Sequence, residues 1–528
     1  MAFKILVLDN VDPVCEEVFR ERGMQTVRKT SLDRPALLQA ITDYHGIVVR
    51  SATTVDREVL EAARSLKVVG RAGVGVDNID IPAATARGVL VMNTPDGNTV
   101  STAEHTCGMI LALSRNIPQA VRRVKEGGWD RKKYMGAEVH GKTLGVVGLG
   151  KIGSEVAARM KAFGMKVVAY DPYASVEKAE QAGVELVELE ELMGAADVVT
   201  VHTPLTDKTR GLFSMENASA FKEGVRLINC ARGGIIREED MVAMIEEGPV
   251  AGIAVDVYSE EPPGEEIRRA LDHPCIVTTP HLGASTEEAQ EKVARHIALQ
   301  MSDALERKDF KGSLNGKSIA LTTNSEVQPY LELAERLGSV TMQLAPEHTD
   351  KFSFEYSGTC ARYAEVLTDS LLKGMLLQHV SESVNLINAR HYAGERGFGI
   401  RETTVSRPGT YSDLVTVKLE GAEDYGSISA TVFGEGDSRI VDIDGFGIEL
   451  RLRRDFLIYK NEDRPGMLAA VSGALAARDI NIASLSNGRA RKGSEAITAV
   501  AVDRTLDDGE QQSIRDLDGV RALRYVQL

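Results

Sequence analysis

The sequence predicts an α/β fold with two parallel sheets, followed by two α+β domains. Short runs rich in Val and Ile alternate with helical stretches over residues 1–310, as in βαβ units whose strands are buried on both faces. A glycine-rich turn follows one of these runs. The last part of the chain has the order βαββαβ, which is typical of a ferredoxin-like unit. The chain has 528 residues, enough for about three or four domains.

Apolar runs predict the strands of the first 310 residues. They are too many for one open sheet, so we expect two α/β domains. The predicted strands are Lys4–Leu8, Gly46–Val49, Leu66–Val69, Val89–Met92, Thr143–Val147, Lys166–Tyr170, Asp197–Val201, Val225–Asn229, Ala251–Val255 and Cys275–Thr278.

A basic, polar stretch over residues 307–317 predicts a linker. Beyond it, amphipathic helices are expected near Tyr330–Leu344 and Ala361–Val380, and alternating strands at Leu414–Leu419 and Ser427–Phe433. This mixture predicts an α+β domain with an antiparallel sheet.

The tail after residue 454 is predicted to form two βαβ halves of one small sheet. Its helices begin near Pro465 and Gly509. Its strands are expected at Phe456–Lys460, Ile480–Leu485, Ala496–Val502 and Arg521–Val526.

Charge and composition exclude several classes of protein. The net charge is −15, which argues against sequence-independent nucleic-acid binding, since that relies on Lys and Arg. No apolar run is long enough to span a membrane, and the N-terminus lacks the pattern of a signal peptide. The five cysteines are scattered, which excludes a disulfide framework and any CxxC metal site. We expect a cytoplasmic protein with reduced thiols, without nucleic-acid, membrane or metal binding.

The glycine-rich turn joins the strand Thr143–Val147 to a predicted helix over Lys151–Phe163. Gly148 suits the tight turn, Gly150 lets the backbone approach a pyrophosphate, and Gly153 permits close contact between helix and strand. The free N–H groups of the helix N-terminus favour phosphate binding. The pattern therefore predicts a dinucleotide site.

Asp171 ends the next predicted strand, where a carboxylate accepts the hydroxyls of an adenosine ribose. A carboxylate there would repel a 2′-phosphate, and residues 172–175 contain no arginine to accept one. The sequence therefore favours NAD over NADP. The alternative is an ordinary strand–helix turn followed by an exposed Asp.

Three polar residues follow predicted strands and have complementary chemistry. His281 can remove a hydroxyl proton, Glu261 can favour the imidazolium that forms, and Arg232 can hold a substrate carboxylate. Each has an ordinary alternative: Arg232 could cap a strand end, Glu261 could mark a turn, and His281 could be a packed loop histidine.

The segments Asn229–Gly233, Asp256–Pro262 and Thr279–His281 resemble, in order, the catalytic segments of the D-isomer-specific 2-hydroxyacid dehydrogenases. The resemblance implies a Rossmann-type domain inserted in a flavodoxin-like domain, then an intervening α+β domain and a ferredoxin-like ACT domain. The resemblance implies a substrate-binding domain formed by residues 1–98 and 282–311 and an NAD-binding Rossmann domain over residues 99–281. It implies an intervening domain over residues 312–452 and a regulatory ACT domain over residues 455–528.

By this resemblance, Arg232, Glu261 and His281 are catalytic. His202 is an alternative base, but it belongs to a segment on the cofactor side. The implied NAD-binding residues are Gly148, Gly150, Lys151, Ile152, Gly153, Asp171, Thr203, Cys230, Ala231, Asp256, Val74 and Gly283.

Within the family, Gly70–Asn78, Met92–Pro95 and His281–Thr286 are most similar to the long-form members that oxidise 3-phospho-D-glycerate. This resemblance implies that same substrate, the first step of L-serine biosynthesis, and a homo-oligomer, either a dimer or a tetramer. Arg131 matches an arginine lent by a neighbouring subunit, although its basic run alone equally fits a solvated helix end. The implied substrate residues are Arg50, Ser51, Arg71, Gly73, Val74, Gly75 and Arg131.

Asn461, Asp463 and Asn481 lie in the tail where ACT domains of serine-sensitive members contact L-serine between subunits. The resemblance implies L-serine as a feedback effector that binds between paired tails. A plain loop that caps a small domain is the alternative for these residues.

Two other functions are compatible with the pattern. One is a different dehydrogenase of the family, such as a glyoxylate or hydroxypyruvate reductase. The other is a dinucleotide-sensing binding protein similar to the corepressors built on this fold. The phosphate-directed arginines Arg50, Arg71 and Arg131 and the long C-terminal extension argue against the first function. The corepressors lack a serine-sensing tail, which argues against the second.

Overall fold

Four sheets organise the chain in a computed structural model, which describes residues 2–30, 32–346, 349–377, 384–405, 410–434, 436–489 and 494–528. The first contains β1 (Lys4–Val7), β2 (Gln25–Arg28), β3 (Gly46–Val49), β4 (Val68–Arg71) and β5 (Leu90–Asn93), with α1 (Val14–Glu21), α2 (Arg34–Ala40), α3 (Arg57–Ala62) and α4 (Ile81–Ala86). Its strands are parallel in the order β2-β1-β3-β4-β5. Asp33, Asp56 and Asp80 cap α2, α3 and α4 through their side chains, which satisfies otherwise unpaired N–H groups.

The second sheet has seven parallel strands in the order β12-β11-β10-β9-β6-β7-β8. From β6 the chain adds strands first on one side of the sheet and then on the other. This switch in strand order leaves a crevice at the carboxyl ends of the strands. The elements are α5 (Thr99–Ser114), α6 (Ile117–Lys125), β6 (Thr143–Val147), α7 (Lys151–Ala162), β7 (Lys166–Tyr170), α8 (Val176–Gln181), β8 (Glu185–Leu186), α9 (Leu189–Ala195), β9 (Val198–Val201), β10 (Val225–Asn229), α10 (Met241–Glu246), β11 (Val250–Val255), α11 (Glu265–Leu271), β12 (Ile276–Thr278) and α12 (Glu287–Leu305).

Helix α12 returns the chain to the first sheet. Val293, Ile297 and Met301 share a hydrophobic cluster with residues of β1, β3 and β4. A Cβ at Gly70 would lie 2.1 Å from the sulfur of Met301, so a larger residue at position 70 would force the side chains of this helix to move. The first sheet is thus completed by a segment that follows the second sheet in sequence.

The two parallel sheets confirm the predicted α/β class, and every apolar run predicted to be a strand forms one. The sequence missed β2 and β8. Both are edge strands, and edge strands need no continuous apolar run because one side stays open to solvent.

The third sheet has the order β14-β13-β15-β16-β17-β18. Its elements are α13 (Gln328–Leu344), β13 (Lys351–Ser357), α14 (Ala364–Leu376), α15 (Ala389–Glu395), β14 (Gly399–Val405), β15 (Leu414–Leu419), β16 (Ser427–Phe433), β17 (Asp437–Ile443) and β18 (Phe446–Arg451). The predicted antiparallel sheet needs one correction, because β13 and β14 are parallel. The two helices between them form the crossover that a parallel pair requires. Of the predicted helix Ala361–Val380, residues 378–380 lie outside the described residues.

The fourth sheet has the predicted βαββαβ order. Its elements are β19 (Phe456–Glu462), α16 (Met467–Ala476), β20 (Ile482–Arg489), β21 (Glu495–Val502), α17 (Asp508–Arg515) and β22 (Val520–Val526). The strands are antiparallel in the order β20-β21-β19-β22.

One hydrophobic core joins the third and fourth sheets. Phe456 and Ile458 of β19 belong to the same buried cluster as Leu337 of α13 and Leu371 of α14. The buried ammonium of Lys460 lies 2.8 Å from a carboxylate oxygen of Asp424 in the other unit. Among the described residues, no helix combines the length and apolar character needed to cross a membrane.

Candidate active site

Strands β10, β11 and β12 lie side by side and end at the same edge of the second sheet. The segments that follow them carry Arg232, Glu261 and His281. Asn229, the last residue of β10, donates its side-chain amide to the carbonyl of Arg232 at 2.8 Å. The structure therefore brings the three predicted catalytic residues to one edge.

His281 and Glu261 form a direct pair, with Nδ1 of the imidazole 2.7 Å from Oε2 of the carboxylate. The other oxygen of Glu261 accepts a hydrogen bond from the backbone N–H of Tyr258 at 3.2 Å. The His281 side chain is 48% exposed, so a ligand can approach Nε2. An imidazole held at one nitrogen and accessible at the other suits proton transfer.

Asp256 lies beneath the backbone turn that carries His281. His281 has a φ of +54°, in the left-handed region that non-glycine residues seldom adopt. The buried Asp256 carboxylate accepts hydrogen bonds from the backbone N–H groups of Leu282 at 2.7 Å and Gly283 at 2.8 Å. The hydroxyl of Thr279 donates to it at 2.6 Å. These bonds hold the turn in its strained conformation.

His105 of α5 also faces Asp256, with Nε2 3.2 Å from Oδ1. Burial alone would raise the pKa of Asp256, but hydrogen bonds from His105, Thr279 and Leu282 outweigh it and hold the pKa below its ordinary value. Sequence analysis did not identify His105, which lies in the middle of α5. The role of Asp256 toward a cofactor stays a prediction.

Arg50 and Arg71 lie at the ends of strands of the first sheet, and Arg71 is close enough to Arg50 and Arg232 to feel both charges. Burial, and next the nearby charge of Arg232, lowers the pKa of Arg71 to about 10. Burial also lowers the pKa of Arg50. Nε of Arg71 is buried without a hydrogen-bond partner among the described residues. Arg71 stays charged at neutral pH, so the cluster concentrates positive charge at this place.

Close packing and an unpredicted carboxylate shape this cluster. A Cβ at Gly75 would lie 2.2 Å from a guanidinium nitrogen of Arg232, so a larger residue there would displace this guanidinium. Asp9 follows β1 and accepts hydrogen bonds from the backbone N–H of Arg50 at 2.7 Å and from the hydroxyl of Thr53 at 2.5 Å. Sequence reasoning missed Asp9, although its place at a strand end was a usable signal. Ser51 is exposed beside these residues.

The glycine turn after β6 has the geometry of a dinucleotide cradle. Gly148 has a φ of +95°, and a Cβ at Gly153 would lie 2.1 Å from the carbonyl oxygen of Gly148. A Cβ at Gly150 would meet nothing within 4 Å, so the backbone there is open to a ligand. Asp171 accepts from the backbone N–H of Leu149 at 2.8 Å, which fixes its carboxylate beside the turn.

An unpaired polar atom beside the same turn fits a dinucleotide. The Thr203 side chain lies against Gly148, and its hydroxyl is buried without a hydrogen-bond partner in the described part of the chain. Such groups require a partner, and the hydroxyls, phosphates and amide of NAD can supply one. Lys151 forms an ion pair with Asp96 across the crevice mouth.

Of the predicted lining residues, Cys230 is buried, whereas Ala231, Ile152 and the alternative base His202 are half-buried. Burial raises the pKa of the Cys230 thiol to about 12, so it is neutral. Ala231 donates its N–H to Asn229 at 3.1 Å, and Ile152 packs against the core of the second sheet. Burial lowers the pKa of His202 to about 4, and its Nε2 lies 3.0 Å from the Thr200 hydroxyl. His202 is thus a packed neutral histidine, which favours His281 as the base.

Within one chain, Arg131 forms no side-chain hydrogen bond or ion pair with any residue that the structure describes. It lies in an exposed stretch after α6 in which Trp129 is 78% and Met135 79% exposed.

The three predicted serine-binding residues are also separated within one chain. Asn461 pairs with Ala496 at one end of β21, whereas Asn481 precedes Ile482, which pairs with Val502 at the other end. These ends are about 20 Å apart at the rise of a β-strand. Asn481 could therefore meet Asn461 around one amino acid only if it came from a second copy.

Three family models match the chain. The D-isomer specific 2-hydroxyacid dehydrogenase NAD-binding domain matches residues 107–283. The D-3-phosphoglycerate dehydrogenase intervening domain matches residues 326–444, and the ACT domain matches residues 456–519. No group of three or more His, Cys, Asp or Glu side chains suited to a metal ion occurs among the residues described.

Similar proteins include two curated relatives. The D-3-phosphoglycerate dehydrogenase of Synechocystis is 40% identical over 99% of this chain and 95% of its own length. That of Bacillus subtilis is 39% identical over the whole of both chains. Among solved structures, the D-lactate dehydrogenase of Aquifex aeolicus, complexed with NAD and lactic acid, is 26% identical, with a TM-score of 0.52 over 57% of this chain and 96% of that chain.

Proposed function

Because this chain belongs to the D-3-phosphoglycerate dehydrogenases, within the D-isomer specific 2-hydroxyacid dehydrogenase family, we propose that it oxidises 3-phospho-D-glycerate to 3-phosphooxypyruvate with NAD. This reaction is the first step of L-serine biosynthesis. The observation that carries the proposal is the His281–Glu261 pair at the sheet edge that also carries Arg232, whose charge lies close to that of Arg71. A substrate with a carboxylate and a phosphate needs such a cluster of cations.

Bound NAD supplies the acceptor for the hydride that leaves C2 of the substrate. Arg232 holds the carboxylate and fixes C2 beside the imidazole. Nε2 of His281 removes the proton of the C2 hydroxyl, and Glu261 at Nδ1 stabilises the imidazolium that forms. In the reverse direction His281 returns the proton to the carbonyl oxygen.

Arg50 and Arg71 would bind the phosphate, with the backbone of Gly73, Val74 and Gly75 supplying N–H donors. The unpaired Nε of Arg71 supports this assignment, since a buried donor requires an acceptor. On the cofactor side, Gly148, Gly150 and Gly153 would cradle the pyrophosphate, and Asp171 would accept the ribose hydroxyls. Gly283 and Val74 would lie against the nicotinamide end.

We propose a homo-oligomer of at least two copies. Ile117, Val121 and Val124 follow one another at helical spacing on α6, and each is about half exposed. A second copy that covered this apolar face would also bring its Arg131 toward the phosphate site. Whether two or four copies assemble is decided by sedimentation of the purified chain.

The fourth sheet is proposed as the regulatory domain that binds L-serine between two copies. The ACT-domain match over residues 456–519 supports an amino-acid effector. Asn461 and Asp463 lie at the opposite end of β21 from Asn481, so a single site that contained all three would need a second copy. We propose the domain boundaries 1–98 with 282–311, 99–281, 312–452 and 455–528. We also propose a cytoplasmic location, because thiols such as the free cysteines of this chain stay reduced there.

The direct test is NADH formation by the purified chain with 3-phospho-D-glycerate, D-glycerate, D-lactate and buffer alone. We expect substantial activity only with the phosphorylated acid. Preference for D-glycerate would indicate the reductase alternative, and tight NAD binding without turnover of any acid would indicate a dinucleotide-sensing protein.

A further inference from the structure

The buried carboxylate of Glu238 lies between two of the catalytic segments, although its own position is outside both. Glu238 is 7% exposed and begins a short 3-10 helix, Glu238–Asp240. In the described part of the chain it forms no ion pair. A buried carboxylate without a cation is costly unless N–H and O–H donors stabilise it, so its contacts require an explanation.

A single oxygen of Glu238 accepts three hydrogen bonds. The backbone N–H of Gly234 donates to Oε1 at 3.2 Å, and Gly234 lies two residues after Arg232. The backbone N–H and the hydroxyl of Ser259 donate to the same oxygen at 2.6 and 2.9 Å, and Ser259 lies two residues before Glu261. Glu238 therefore joins the segment of the arginine to the segment of the glutamate.

The two segments also touch directly beside this bridge. A Cβ at Gly233 would lie 1.9 Å from the carbonyl carbon of Tyr258, so the backbones pack as closely as glycine allows. The N–H of Tyr258 in turn donates to Glu261. A short chain of contacts thus runs from Glu238 through residues 258 and 259 to the carboxylate that holds His281.

We propose that Glu238 is a positioning residue that fixes Arg232 and the Glu261–His281 pair relative to one another. Arg232 sets where the substrate carboxylate lies, and Glu261 sets where the imidazole lies. Proton transfer depends on the distance between those two places, and a misplacement of about 1 Å can cost about 10²-fold in rate. This inference rests on the proposed function for its activity assay, but not for its structural readout.

The test compares three variants of the full chain. Glu238→Ala removes the acceptor, Glu238→Gln keeps an oxygen at the same place, and Glu239→Ala changes the exposed neighbour as the matched control. For Glu238→Ala we expect kcat to fall about 10²-fold and the acid limb of the pH–rate profile to move to lower pH, as expected when Glu261 no longer supports the imidazolium. Affinity for NADH, measured by its fluorescence, should change by less than about three-fold. Glu238→Gln should recover most of kcat, and Glu239→Ala should match the wild type.

Backbone hydrogen exchange supplies a readout that is independent of substrate. Peptides that cover residues 232–236 and 257–261 should exchange faster in Glu238→Ala, but not in Glu238→Gln or Glu239→Ala. Unchanged exchange and an unchanged pH profile in Glu238→Ala would overturn the proposal. So would a Glu238→Gln variant as inactive as Glu238→Ala, because the charge rather than the placed acceptor would then matter.

If Glu238→Ala does not fold, Ser259→Ala serves in its place, because it deletes one of the three bonds at an exposed residue. A smaller shift of the acid limb in the same direction is expected, and an unshifted limb would overturn the proposal. A wild-type enzyme that does not reduce NAD with 3-phospho-D-glycerate would refute the proposed function, and the exchange comparison would still decide the role of Glu238.

Discussion

Nε of Arg232 lies 3.3 Å from a carboxylate oxygen of Asp77, which belongs to the loop after β4 of the other parallel sheet. Asp77 is 79% exposed, and Arg232 is about one-third exposed. The carboxylate of Asp77 thus partly neutralises the guanidinium that the proposed mechanism assigns to the substrate carboxylate. An incoming substrate has to compete with this ion pair.

Asp77→Asn is therefore expected to lower KM for 3-phospho-D-glycerate, while kcat changes little. Exposed ion pairs contribute up to about 1 kcal/mol, so the decrease should not exceed about five-fold. Initial rates over a substrate series measure it, with Glu61→Gln, an exposed acid on α3, as control. A higher KM in Asp77→Asn would mean that Asp77 supports substrate binding rather than competing with it.

Loss of the proposed base is expected to affect turnover far more than cofactor binding. His281→Ala should lower kcat by about 10²–10⁴-fold, the usual contribution of a general base, with little change in NADH affinity. Parallel loss of both quantities would indicate that the histidine has a structural role.

Replacement of Glu261 by Gln should change the pH dependence. The Glu261 carboxylate favours the protonated imidazole, so its removal lets the base form persist to lower pH, and the acid limb of kcat/KM should move downward. The pH–rate profiles of wild type and Glu261→Gln provide the measurement. Superimposable profiles would contradict the assigned pair.

Choice of cofactor is expected to depend on Asp171. In Asp171→Ala the ratio of kcat/KM for NAD to that for NADP should fall, because the carboxylate that repels a 2′-phosphate is gone. Glu180→Ala, an exposed acid after the same strand, should keep the wild-type ratio. An unmoved ratio in Asp171→Ala would show that its carboxylate does not contact the ribose.

Stability at low pH should depend on Asp256. The folded protein lowers the pKa of this carboxyl, so its contribution to stability is present above the unfolded-chain value of about 3.9 and is lost as the pH falls through the lower folded value. Wild type should therefore exceed Asp256→Asn in free energy of unfolding at pH 6, and the difference should narrow below pH 4. Denaturant titrations at both pH values test this, and a constant difference would contradict it.

Serine inhibition should be restored when two variants with inactive regulatory sites are combined in one oligomer. If each site takes Asn461 from one copy and Asn481 from another, neither Asn461→Ala nor Asn481→Ala alone should respond to L-serine. Co-expressed, differently tagged copies should regain partial inhibition, because a mixed pair contains one intact site. Arg515→Ala is the control, and D-serine checks specificity. No recovery in verified mixed oligomers would contradict a site shared between copies.

Residue type and strand position were sufficient to predict where several residues of the candidate site lie. Gly148, Asp171 and His281 all follow buried strands, and the carboxyl ends of neighbouring parallel strands meet at one edge. The contacts of Asp77, His105 and Glu238 were not predictable, because each depends on how separate segments pack. Nothing local distinguishes Glu238 from the exposed Glu239 beside it.

The edge strands and the third sheet show the same limit for prediction of the fold from sequence. Strand β2 alternates half-buried and exposed residues, so its sequence carries no continuous apolar signal. The parallel pairing of β13 with β14 follows from the crossover of α14 and α15, which is a tertiary feature. Periodicity predicts elements, whereas their partners depend on contacts distant in sequence.

The third and fourth sheets share one hydrophobic core, which contains Phe456, Ile458, Leu337 and Leu371. We therefore expect these two sheets to unfold together as one cooperative unit. Excision of the chain after Arg454 would strip apolar surface from the helices of the third sheet, and the remnant would be prone to aggregation. Loss of serine inhibition in such a truncated protein would then reflect damage to the third sheet rather than removal of an effector site. Calorimetry of the intact chain should show a single unfolding transition for these two sheets. Point substitutions can therefore separate serine binding from the stability of the fold, whereas truncation cannot.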